Sequence, residues 1–157
     1  MNSIITEEKA LLRLSADCAR AEHCSHEMLE RMRRWELSDE AQARVMQRLV
    51  ADHYVDDERY ALAFVRDKLR YNKWGRLKIE QALWQKHISE DIRQRALDTI
   101  STDDYANVLR PMLQQKRRSI RAASDYELRQ KLMRFAMGRG FTTDVIRQCM
   151  DISDVGE

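Results

Sequence analysis

Four glycines and one proline in 157 residues are too few to build the tight turns of a sandwich or barrel. The residues used instead, chiefly Ala, Leu, Arg, Glu, Gln, Lys and Met, all favour helix, so the all-β classes are set aside. Cysteine is sparse: Cys18, Cys24 and Cys149 are odd in number and irregularly spaced, which fits reduced thiols better than a disulfide framework. No run approaches the roughly 20 apolar residues of a membrane span, and the opening Met1-Asn-Ser-Ile-Ile-Thr lacks a charged leader before an apolar stretch. A cytoplasmic, non-membrane protein is the expectation. The length allows one compact domain or a short repeat array, burying roughly 70% of the extended surface without metal or disulfide staples.

What is present is internal repetition. Sliding the chain by 51 residues places Ala10 on Ala61, Leu14 on Val65, Met28 on Ile79, Met32 on Leu83, Leu37 on Ile88 and Ser38 on Ser89. A third copy sets Met28 and Met32 on Leu128 and Leu132, then needs four more residues before Phe141-Thr142 matches Leu37-Ser38. Four residues make about one helical turn, so the insertion keeps the buried face. The apolar pairs Met28/Met32, Ile79/Leu83 and Leu128/Leu132 stand at i and i+4, the helix period.

The last segment of each copy opens on an apolar residue and a hydroxyl: Leu37-Ser38, Ile88-Ser89 and Phe141-Thr142. Ser or Thr at an N-cap accepts a bond from an unpaired helical N–H, and the carboxylates that follow suit the positive end of the helix dipole. Ser124 and Glu127 form a capping box in which Glu127 should reach back to the Ser124 backbone, and Asp56 or Asp57 caps the helix carrying Tyr60. Helices are predicted at 6–20, 24–34, 38–51, 56–71, 75–86, 89–100, 103–118, 124–138 and 142–151. The fold class is all-α: an elongated tandem array of three helix-turn-helix-like, three-helix repeats at 1–53, 54–102 and 103–152, with a short tail at 153–157. Pro111 predicts a kink or break in the seventh helix, since it removes an N–H and crowds the preceding turn.

The chain resembles the RecX family, the regulators of the bacterial recombinase RecA, from about residue 8 to residue 150. Ala10-Leu-Leu-Arg-Leu-Ser15 with Ser25-His-Glu-Met-Leu-Glu-Arg-Met32 is similar to the first repeat of that family. Tyr54-Val-Asp56-Asp57-Glu-Arg59-Tyr60-Ala61 resembles its sharpest signature, and Lys73-Trp-Gly75-Arg76-Leu-Lys78-Ile79 the basic segment after it. The family often carries glycine before each third helix. Gly140 keeps it, whereas Glu36 and His87 stand at the aligned turns, where a left-handed cap would strain a non-glycine residue. The resemblance implies a protein without an active site or cofactor that binds the RecA–DNA filament and lowers its growth, ATP hydrolysis, strand exchange and co-protease activity. It also implies a weak, sequence-tolerant contact with single- or double-stranded DNA, and a monomer is expected.

The residues agree with a non-catalytic role: there is no glycine-rich phosphate loop or triad signature. Cys18, His23, Cys24 and His26 are spaced unlike any common structural zinc site, so they are read as core and junction residues, with no metal. Charge is nearly balanced at +2, yet Arg66, Lys68, Arg70, Lys73, Arg76 and Lys78 face only Asp67. Arg110, Lys116, Arg117, Arg118 and Arg121 form a second run with no acid between them. Both runs fall at the junction of the first and second helices of their repeats, so they are candidates for one discontinuous basic surface.

The candidate partner- or nucleic-acid-binding set is therefore Arg66, Lys68, Arg70, Lys73, Trp74, Arg76, Lys78, Lys116, Arg117, Arg118 and Arg121. Asp56, Asp57, Arg59, Tyr60, Ala61 and Gly75 are read as family-signature residues with structural roles. Single runs of this kind are often only solvated helix faces; two at related positions favour binding. The target is either phosphate backbone or acidic protein, and aromatic residues such as Trp74 and Tyr71 could stack on bases. The alternatives to a filament modulator are a stand-alone nucleic-acid-binding module and, last, a helical scaffold for an unrelated acidic protein.

Overall fold

The computed structural model describes residues 4–155, with side chains described up to residue 150. Among the described residues there are nine α-helices and no strand: α1 Glu7–Arg20, α2 Ser25–Arg34, α3 Asp39–Ala51, α4 Asp57–Asp67, α5 Arg76–Gln85, α6 Glu90–Leu97, α7 Thr102–Ser119, α8 Asp125–Gly138 and α9 Thr143–Val155. The all-α class with tandem three-helix repeats is as the sequence predicts. Of the tail expected at 153–157, residues 153–155 continue α9, and 156 and 157 lie outside the described residues.

The three aligned helix starts are capped alike. The N–H groups of Ala41, Ile92 and Val145 donate to Ser38 Oγ, Ser89 Oγ and Thr142 Oγ1 at 3.1, 3.4 and 3.4 Å. Each satisfies one of the helical donors that would otherwise lack a partner. Asp56 caps α4 by accepting from the Arg59 N–H at 3.1 Å. Ser124 caps α8 in the expected way, but Glu127 accepts from the Ala123 N–H at 3.1 Å instead of that of Ser124.

The turns before α3, α6 and α9 are also alike. Glu36, His87 and Gly140 all take positive φ, at 58°, 58° and 91°. In each, the next N–H reaches back to close the helix: Leu37 to the Met32 carbonyl, Ile88 to Leu83 and Phe141 to Ala136. These bonds satisfy the last carbonyls of a helix and bury the apolar residue that follows, so the left-handed cap persists with Glu or His in place of Gly.

The described chain divides into two compact units, residues 4–63 with 83–93 and residues 64–82 with 94–155, so α4, α5 and α6 each contribute to both. In the first unit, α1 and α2 pack on α3 around Leu14, Met28, Met32, Val45 and Leu49, each no more than 2% exposed. In the second, α7 packs against α8 and α9 around buried Leu109, Leu132, Phe141 and Ile146. Gly75, at the start of α5, meets the α8–α9 turn backbone to backbone there. Its N–H donates to the Arg139 carbonyl at 2.8 Å, and a Cβ on it would lie 2.3 Å from the Phe141 nitrogen.

Three predicted helices differ from what is found. The helix predicted at 56–71 ends as α-helix at Asp67, and Lys68–Asn72 form a π-helical turn closed by Lys73 in the left-handed region. The one at 89–100 stops at Leu97, after which Thr99 and Ile100 bond back to Ala96 and Leu97 in tight turns. The break expected at Pro111 does not occur: α7 runs from Thr102 to Ser119. Pro111 and Asn107 are both exposed, so the missing bond lies on the solvent side of the helix.

Candidate functional site

The signature residues other than Gly75 sit in the first unit and tie α4 to the link between α1 and α2. Asp57 accepts from the Ser25 N–H at 2.8 Å, while Arg59 pairs with Glu22 at 2.6 Å and donates to the Tyr54 carbonyl at 3.2 Å. Tyr60 and Ala61 are buried at 7% and 0% exposure. Burial, with Glu27 and Cys24 close by, pushes the Tyr60 phenol far above its ordinary range. Cys24 is a buried thiol and Cys18 a half-buried one packed against the core, both raised by burial, and the His26 ring stacks on His87 with centroids 3.9 Å apart. Among the described residues no group of three or more His, Cys, Asp or Glu is placed to hold a metal ion.

The basic residues of both runs lie in the second unit. Lys68 and Lys78 place their ammonium groups 5.0 and 4.8 Å from the centre of the half-buried Trp74 ring, and Lys68 is also 5.3 Å from Phe64. Arg70 covers the exposed ring of its neighbour Tyr71 at 5.5 Å. These are cation–π contacts, in which the negative ring face holds a positive head in place. The rings expected to stack on bases thus already carry cations. Arg76 is engaged within the chain: half-buried, it pairs with the exposed Asp98 at 2.8 Å and donates to Gln94 at 2.9 Å. Arg66, Arg118 and Arg121 are exposed, Arg117 is half-buried, and Gly75 serves the backbone contact described above.

The two runs meet at one place. A groove of about 360 Å³ is lined by Lys73 from the end of the π turn, Met112, Gln115, Lys116 and Ser119 from α7, and Phe135 and Arg139 from the end of α8. Phe135 lies between two cations, Lys116 at 5.2 Å and Arg139 at 5.5 Å. Of the sequence candidates, the groove unites Lys73 and Lys116; Arg117, Arg118 and Arg121 do not line it. Phe135 and Arg139 were not among the sequence candidates. Aromatic and basic residues four apart share a helix face, which is the one local signal that could have marked them.

Residues 56–97 match the second three-helix domain of RecX and residues 103–150 match the third. The regulatory protein RecX of Prosthecochloris aestuarii is 31% identical over 143 residues, covering 91% of this chain and 92% of that protein. The chain belongs to the RecX family. The RecX of Bacillus cytotoxicus is 26% identical over 152 residues, 96% of this chain but 56% of its own length. That of Clostridium botulinum is 33% identical over 97 residues, 60% of this chain and 45% of its own. The chain thus spans about half the length of these two relatives. In fold, the crystal structure of RecX from Lactobacillus salivarius superposes with a TM-score of 0.86 at 17% identity, over 95% of this chain and 97% of that one. A second crystal structure of regulatory protein RecX gives 0.83 at 21% identity, over 92% and 71%. The π turn, Trp74 and Gly75 fall within the second RecX domain; Lys116, Phe135 and Arg139 fall within the third.

Proposed function

We propose that this RecX protein is a non-catalytic negative modulator of RecA that binds the RecA–DNA filament and restrains its growth, ATP hydrolysis, strand exchange and co-protease activity. The observation that carries this reading is the 31% identity to a regulatory protein RecX over nine-tenths of both chains. On this reading the protein works in the cytoplasm, as a monomer of three repeats divided at 53/54 and 102/103. It acts by occupying a surface and performs no bond chemistry. The contact runs through the cations of the second unit, and the clamping of Lys68 and Lys78 on Trp74 supports it, because ordered charges lose less freedom on binding.

The test is RecA-dependent ATP hydrolysis on single-stranded DNA with equimolar purified protein. A slowed rate is expected; an unchanged rate with protein shown to be folded overturns the reading. Charge reversal at Arg70, Lys73, Arg117 and Arg118 is expected to weaken inhibition with helicity intact, Arg76 being left in place because of Asp98. The alternative, a stand-alone nucleic-acid-binding module, is favoured only by the helix triplets and the cations. It requires a preference of about 4 kcal/mol or more for one duplex over random DNA, which competition binding measures.

A further inference from the structure

The groove between α7 and α8 gathers three cations, Lys73, Lys116 and Arg139, and no carboxylate lines it. All three residues are exposed; two of the charged heads rest on a ring, and the third residue is fixed through its backbone. Lys116 and Arg139 rest on the Phe135 ring. Lys73 is set at the groove by a π-helical turn and a left-handed backbone, with φ 57° and ψ 46°. π turns and left-handed residues bearing a Cβ are unfavourable locally and gather where structure serves a ligand. Three segments thus converge on one concavity with uncompensated positive charge.

The chemistry of a fitting ligand follows. Phe135 already carries cations, so the groove offers no free ring to a base or other planar group. The Ser119 hydroxyl is spent as a donor on the Lys116 carbonyl at 2.9 Å, which leaves the three cations and the neutral Gln115 amide as the donors the groove offers. Guanidinium and ammonium groups lining one groove suit phosphate, which presents several oxygens and more than one charge. A single nucleic-acid strand has only one charge per nucleotide, so three neighbouring cations match a ligand of higher charge density.

We propose that this groove is a binding site for a polyphosphate chain, either free inorganic tripolyphosphate or the phosphates of a nucleoside triphosphate, taken without regard to the base. The proposal goes beyond the filament reading and does not need it, since the ligand binds the isolated chain.

Isothermal titration of the full chain with tripolyphosphate, ATP, GTP and an oligo-dT strand, at one fixed salt concentration, tests it. Saturable one-to-one binding is expected for the first three, with dissociation constants agreeing within about threefold. Phe135→Leu leaves the net charge unchanged and is expected to weaken tripolyphosphate by about fivefold, because the two heads lose their ring; Phe135→Tyr keeps the ring and the affinity. Lys73→Gln is expected to weaken it by about tenfold, while Arg121→Gln, which removes the same charge outside the groove, changes it by less than about twofold. Circular dichroism of each variant confirms the fold. Absence of saturable tripolyphosphate binding overturns the proposal. So does equal loss in Lys73→Gln and Arg121→Gln, which would show unlocalised charge attraction, or unchanged affinity in Phe135→Leu. A marked preference for one base overturns the base-indifferent form. Oligo-dT binding that alone responds to these variants reassigns the groove to nucleic-acid backbone. Loss of RecA inhibition is not a readout here, so the two readings stand or fall separately.

Discussion

Glu36 and His87 accept a backbone conformation that costs an L-residue roughly 1–2 kcal/mol, where Gly140 pays almost nothing. Glu36 is exposed, so Glu36→Gly is expected to raise unfolding stability by about 1 kcal/mol, seen as a rise of roughly 3 °C in Tm. His87→Gly should gain less, because it also removes the ring stacked on His26. A second residue-scale expectation concerns acid. Burial would raise the Glu27 carboxyl, but the Cys24 N–H at 3.1 Å, Lys86 at 3.5 Å and His23 at 3.7 Å outweigh it and hold the group below 4.5. The folded state therefore binds the proton less well than the unfolded one. The stability this confers is complete above the unfolded value and is lost as the pH falls through the folded one. Glu27→Gln is expected to flatten the decline in urea-unfolding stability between about pH 5 and pH 3; a decline as steep as in the parent protein would show that other carboxylates carry it.

At the scale of elements, Gly75→Ala is the severe change, since its Cβ would meet backbone at 2.3 to 2.4 Å on the α8–α9 turn and no flexible side chain can yield. A loss of about 3 kcal/mol or more is expected in denaturant unfolding, whereas Gly138→Ala, on a helix where a Cβ meets nothing, is expected to gain up to about 1 kcal/mol. How far such elements were legible depends on how local their causes are. The caps at Ser38, Ser89 and Thr142 could be read from sequence because donor and acceptor lie three residues apart. The π turn at Lys68–Asn72 could not: nothing in Lys-Leu-Arg-Tyr-Asn departs from ordinary helix, and its contact with α7 is long-range. The candidate site was legible only in part. Charge density marked Lys73 and Lys116, but their meeting in one groove and the loss of Arg76 to Asp98 are long-range matters that spacing does not carry.

For the whole molecule, both basic runs belong to the second unit, so a charged partner meets one compact body of the chain. If inhibition of RecA depends on those cations, raising the salt from about 50 to 200 mM should weaken it steeply, as counterion release or screened steering requires. The comparison is ATP hydrolysis with and without this protein at each salt concentration. The π turn bears on how natural variation in this body should read. Closing on i→i+5 bonds, it stores one residue more than the α-helix leading into it. A relative shorter by one residue between positions 68 and 72 can finish that stretch as regular helix with its following lysine on the same bearing, because the wider turn absorbs the extra residue without rotating what comes after it. Single-residue gaps at this place should therefore coincide with a basic residue kept where Lys73 stands, and an alignment that penalises such gaps heavily would overlook an unchanged address.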